Sequence, residues 1–186
     1  MNPNTLLSRA PDIRLFGKVD ETMLTNFFEQ EARLSPDGPV VLELSTSGGD
    51  ADIGRRIAHE LRQWQASQKR DVFFVGKTFV YSAGITIMSS IAAGRRYLTA
   101  DCELLIHERK IKKVLSLDGA LRGCRTIIQD VLAEIDSGQR LEREGFADLV
   151  EGTPLTLDDV MAQVLERDWY LTANGAKEVG LVAGVI

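Results

Sequence analysis

With 186 residues, a net charge of −5, and 44% hydrophobic against 26% charged positions, the chain has the balance of one globular domain able to bury a core. No apolar run approaches the roughly 20 residues of a membrane span. Acidic and basic residues are mixed throughout, so the sequence carries neither a membrane segment nor an electrostatic footprint for nucleic acid.

In chain order, residues 11–16 form a short apolar run before a Gly-Lys turn, and residues 21–34 place Leu24, Phe27, Phe28 and Ala32 at helical spacing. Residues 40–44 read as a buried strand ending in Ser-Thr-Ser-Gly-Gly-Asp, after which Ile53, Ile57, Leu61 and Trp64 mark one helix face. A third strand is expected over 72–75, then a loop around Gly76, then an uncharged interior helix from Ser82 to about Ala93. Residues 97–99 and 104–106 are two further strand candidates, and the alternation of strands and helices predicts an α/β fold with a mostly parallel sheet.

From about 117 to 144 the helical pattern runs longer than a domain of this size requires, with Ile127, Ile128, Val131, Leu132, Ile135 and Leu141 in a stripe. A projecting helical region over about 115–148, packing on another subunit, is expected. Thr156 with Asp158 and Asp159 reads as a capped helix start, and Thr172 caps a short helix before a last strand over 181–186. The whole of 1–186 reads as a single domain. Its two cysteines, Cys102 and Cys124, have no metal-ligand spacing and are read as buried thiols in a reducing compartment. The amino end lacks a basic start followed by an apolar stretch, so the expected location is cytoplasmic. No metal and no cofactor are expected.

Three features fall at strand ends, where α/β sheets hold their active sites. Ser47-Gly48-Gly49-Asp50 is a glycine turn whose N–H groups could face a ligand as an oxyanion hole, although a plain tight turn is as common. Tyr81-Ser82-Ala83-Gly84 opens the apolar helix; a serine there is ordinarily a cap, and the hydrolase elbow pattern is incomplete because Val80 stands in place of its first glycine. His107 directly follows a buried run and needs a partner, whereas His59 falls on the polar side of a helix. Asp168, before Trp169-Tyr170, is the carboxylate available to orient an imidazole; otherwise it is a surface aspartate.

Taken together these segments resemble the proteolytic subunit of the Clp protease, within the crotonase-like fold. Residues 42–49, Leu-Glu-Leu-Ser-Thr-Ser-Gly-Gly, resemble the family's strand ending in N-S-P-G-G; Ser82-Ala83-Gly84 its S-M-G; Ile106-His107 its M-I-H; and residues 166–173, Glu-Arg-Asp-Trp-Tyr-Leu-Thr-Ala, its E-R-D-x-F-L-S-A. The resemblance implies repeated β-β-α and β-α units with a projecting helical handle. It implies Ser82 as nucleophile, His107 as base, Asp168 as its orienter, and the N–H groups of Gly49 and Ala83 as the oxyanion hole of a serine endopeptidase acting on peptides or unfolded protein. It also implies assembly into a homo-oligomeric ring and an unfolding ATPase as partner.

The chain departs from the pattern at Ser47, which replaces a proline, and at the loop from Gly76 to Ser82, which reads as longer. Glu108-Arg109-Lys110-Ile111-Lys112-Lys113 stands where the family has a glycine-containing, substrate-pairing strand, and the His107–Asp168 interval is longer than the family's. A first strand beginning by about residue 12 leaves little room for the axial loop that engages the ATPase, so that partnership stays open. Rival readings are a crotonase-like acyl-CoA hydratase or thioesterase using the same oxyanion hole, a catalytically silent ring-forming paralogue, and a Ser–Lys dyad with Lys77 or Lys110.

Overall fold

A computed structural model describes residues 9–186. Residues 1–8, on which part of the reading of the amino end rests, lie outside the described residues. Helix starts follow local chemistry. After β1 (Ile13–Phe16), α1 (Glu21–Glu31) is capped by Asp20, whose side chain accepts from Met23 N at 3.0 Å. After β2 (Val40–Thr46), α2 (Ala51–Ser67) is capped by Asp50, accepting from the N–H groups of Asp52 and Ile53. These short side chains satisfy amide groups that the first helical turn leaves unpaired.

The expected break after residue 75 does not occur. Strand β3 runs over Val72–Tyr81. Thr78 adopts φ +60°, and the β2–β3 register shifts between Leu44 and Thr46, so the residues read as a loop are a bulge inside one strand. The bulge lets β3 serve two neighbours along one edge. Its first half pairs with β4 (Arg96–Leu98) and its second half with β5 (Glu103–Ile106).

The remaining elements are α3 (Ala83–Ser89), α4 (Leu121–Val150), α5 (Leu157–Val164), β6 (Trp169–Thr172), α6 (Ala173–Glu178) and β7 (Gly184–Val185). The five-strand path β1-β2-β3-β4-β7 is parallel, and β6 pairs antiparallel with β5. The fold is α/β. The core gathers the inward faces of β2 and β3, the apolar side of α2, and nearly all of α3, which is why that helix carries no charge.

The carboxyl-terminal third of α4 is anchored by Phe146 and Leu149, while its amino-terminal part projects, leaving Leu121 88% and Leu132 52% exposed. Cys124, on that projecting part, is half-buried instead of buried. A buried Arg96 joins the layers. Its guanidinium donates to the carbonyls of Ile91 (2.5 Å), Ser89 (3.2 Å), Leu149 (2.9 Å) and Leu181 (3.3 Å). Burial pushes its pKa down to about 10. Among the described residues no helix is long and apolar enough to cross a membrane.

Candidate active site

The carboxyl ends of β2, β3 and β5 converge, as parallel topology requires. Ser82 sits at the turn from β3 into α3 with φ +55° and ψ −114°, a conformation that costs a non-glycine residue about 1–3 kcal/mol and persists only where packing enforces it. Its N–H donates to the carbonyl of Leu105 at 2.9 Å, fastening the turn to β5. The cap reading of Ser82 fails, because its hydroxyl makes no capping hydrogen bond.

The glycine turn presses against this serine. A Cβ on Gly48, which has φ +92°, would lie 2.7 Å from Ser82 Cβ and 3.3 Å from Ser82 Oγ; one on Gly49 would lie 2.3 Å from the carbonyl oxygen of Val19. Only glycine fits either place. The turn is held by Val19 N donating to Gly48 O at 2.9 Å and Asp50 N to Val19 O at 2.8 Å. Those bonds leave the N–H of Gly49 over. Among the described residues neither it nor the N–H of Ala83 donates a backbone hydrogen bond, and both residues line the same cavity.

That cavity, of about 440 Å³, lies between the strand ends and the last third of α4, and Ser82 and His107 both face it. Its other walls include Ile85, Phe146 and the Arg62–Asp148 ion pair, with 2.5 Å between charged atoms. Burial pushes the Asp148 carboxyl up, opposed by Arg62. Among the lining residues, Asp50, Glu108, Glu142, Glu144 and Asp148 stand against Arg55, Arg62, Arg109 and Lys110, five carboxylates to four permanent cations.

Ser82 and His107 both line the cavity, with no hydrogen bond between them among the described residues; the Asp168 side chain is not among its walls. The β5–β6 register pairs Ile106 with Trp169. Continued by one residue, it sets His107 opposite Asp168, and directly opposed residues of antiparallel strands share a face. The side chains have other partners, however. His107 Nδ1 lies 2.5 Å from the carbonyl oxygen of Glu108, to which it donates, and Asp168 Oδ1 accepts from Lys110 Nζ at 3.2 Å. His59 is exposed on α2, away from the cavity.

The segment after His107 has no regular structure through residue 120 and is strapped down side chain by side chain. Glu108 Oε2 accepts from the N–H of Glu166 at 3.1 Å, Arg109 Nη2 pairs with Asp52 at 3.3 Å, Lys113 pairs with Glu134, and the N–H of Arg109 donates to the buried carboxylate of Glu142. The motifs in the sequence do not single out Glu142. The available signal is its spacing: it falls seven residues after Ile135 and seven before Leu149, a carboxylate on the apolar face of α4. Lys77, the other proposed dyad partner, pairs with Glu43 at 2.6 Å and does not line the cavity.

Comparison with known proteins agrees in fold and in extent. The family model described as Clp protease matches residues 2–186. ATP-dependent Clp protease proteolytic subunit 2 of Treponema pallidum (strain Nichols) is 27% identical over 153 residues, 82% of this chain and 69% of that protein. Proteolytic subunit 3 of Rhizobium johnstonii is 25% identical over 183 residues, 97% of this chain and 86% of the relative. Among solved structures, a ClpP1 point mutant from Listeria monocytogenes superposes with a TM-score of 0.75 at 20% identity, over 94% of this chain and 90% of that one.

Proposed function

The chain belongs to the Clp protease family, and on that premise we propose that it is a serine endopeptidase, one protease domain with a helical handle, acting on peptides or unfolded protein. One observation carries the reading: a strained serine whose hydroxyl caps nothing shares a cavity with a histidine and with two amides that donate no backbone hydrogen bond among the described residues. In the proposed reaction His107 takes the proton of Ser82 Oγ as that oxygen attacks the scissile carbonyl. The N–H groups of Gly49 and Ala83 hold the oxyanion, a contribution worth on the order of 10² to 10³ in turnover per donor. Protonated His107 then gives its proton to the leaving amine, and water releases the acyl group from Ser82.

Asp168 is the proposed orienter of the imidazole, supported by its place opposite His107 in the β5–β6 register. A Ser–Lys dyad is disfavoured because both ammonium groups are engaged elsewhere, Lys110 with Asp168 and Lys77 with Glu43. Acyl-CoA chemistry is disfavoured because a polyanionic ligand would meet a cavity in which carboxylates outnumber cations. The reading places the protein in the cytoplasm, in a homo-oligomeric ring built through α4. An ATPase partner rests on the relatives' ATP-dependent names alone.

Hydrolysis of an internally quenched peptide tests the reading. Wild type cleaves it, and Ser82→Ala loses at least about 10³ of the rate, as removal of a nucleophile does. Equal cleavage by both proteins ends the proposal, and so does a wild type that cleaves none of a diverse peptide set, which would identify a silent paralogue.

A further inference from the structure

We propose that Lys110 is a positioning residue that holds the site in an off state by claiming Asp168, an inference that rests on the peptidase reading above. Two partner sets compete at one place. In this structure His107 Nδ1–H donates to the Glu108 carbonyl while Lys110 Nζ donates to Asp168 Oδ1. In the working arrangement the β5–β6 register makes possible, Nδ1–H donates to Asp168 instead. The exchange needs no rearrangement of the fold, because the Glu108 carboxylate already ties this segment to the backbone of Glu166, two residues before Asp168.

Lys110 comes from the segment that lacks a regular strand and is among the residues that line the cavity, and among the described residues no other carboxylate is bonded to its ammonium. The ion pair is exposed, 69% on the lysine side and 38% on the aspartate side, so it is weak and screened by salt. A weak latch can be displaced: a substrate backbone or a neighbouring subunit that draws the segment after His107 outward removes Lys110 and frees the carboxylate in one movement.

Labelling of Ser82 by a fluorophosphonate tests this, read as a rate at low and high ionic strength. Lys110→Met is expected to label about two- to fivefold faster than wild type at low salt, the scale of an exposed ion pair, and to be insensitive to salt. Wild type should approach that rate as salt rises, and Lys110→Arg, which keeps the pair, should behave as wild type. On an Asp168→Asn background the Lys110 substitution should have no effect, a non-additivity that a merely structural lysine would not produce. Lys110→Met or Lys110→Gln labelling no faster than wild type, with unchanged melting temperatures, overturns the latch and leaves the peptidase reading intact. Label retained by Ser82→Ala, or absent from every variant including Lys110→Met, overturns the peptidase reading and the latch with it.

Discussion

At the scale of single residues the account turns on groups that have no freedom to be otherwise. Gly48 is one: alanine there combines a left-handed φ with a Cβ 2.7 Å from Ser82 Cβ. Gly48→Ala should therefore cost about 1–3 kcal/mol of stability, and it should slow fluorophosphonate labelling by tenfold or more by displacing the serine. A thermal melt read beside the labelling rate checks both; unchanged labelling would mean that the turn does not press on the nucleophile. Tyr81 is another. Its hydroxyl donates to Glu103 Oε2 at 2.6 Å, and that bond, with burial, raises its pKa from 10.0 to about 12. A raised folded-state pKa means that the contribution to stability is fully present below pH 10 and is lost as pH climbs through 12. Ultraviolet titration should show one of the three tyrosines ionising late, and Glu103→Gln should bring it back towards the others.

At the scale of elements, the segment after His107 behaves as a strap and not as a strand, and Glu142 is its anchor. Glu142→Ala removes the acceptor for the Arg109 amide from a buried position, which should cost about 1–3 kcal/mol and speed tryptic cleavage at Lys110, Lys112 or Lys113. Unchanged cleavage would show that the other tethers suffice. Periodicity and caps locate α1, α2, α5 and α6 because those signals are local, and the serine, histidine and glycine turn are found because each ends a strand. Residues 76–81 read as a loop because Gly76 is a poor strand former and marks a break; packing holds them in β3, where Gly76 lies so close to Leu98 Cδ2 that a Cβ would come within 2.6 Å. The partner of Asp168 was not legible, since one carboxylate facing both a lysine and an imidazole chooses by side-chain geometry that no spacing encodes.

Across the whole molecule, Arg96 ties the layers together, and the proposed assembly rests on the projecting helix. Arg96→Met would leave four carbonyls from the ends of α3 and α4 and from the final segment without a donor, and a loss of more than about 3 kcal/mol, read by chemical denaturation, is expected. The exposed apolar residues Leu121, Ile127, Ile128 and Leu132 predict that wild type sediments as a multiple of 20.6 kDa, and that Ile128→Asp with Leu132→Asp shifts it towards the monomer. A wild-type monomer would contradict the ring. The central claim, that Ser82 is the nucleophile, is tested most directly by peptide mapping of the wild-type protein after exposure to a fluorophosphonate. The account predicts one adduct, on the peptide carrying Ser82, with peptide hydrolysis lost in proportion to its formation; an adduct confined to another residue, or hydrolysis that survives full modification of Ser82, would contradict it.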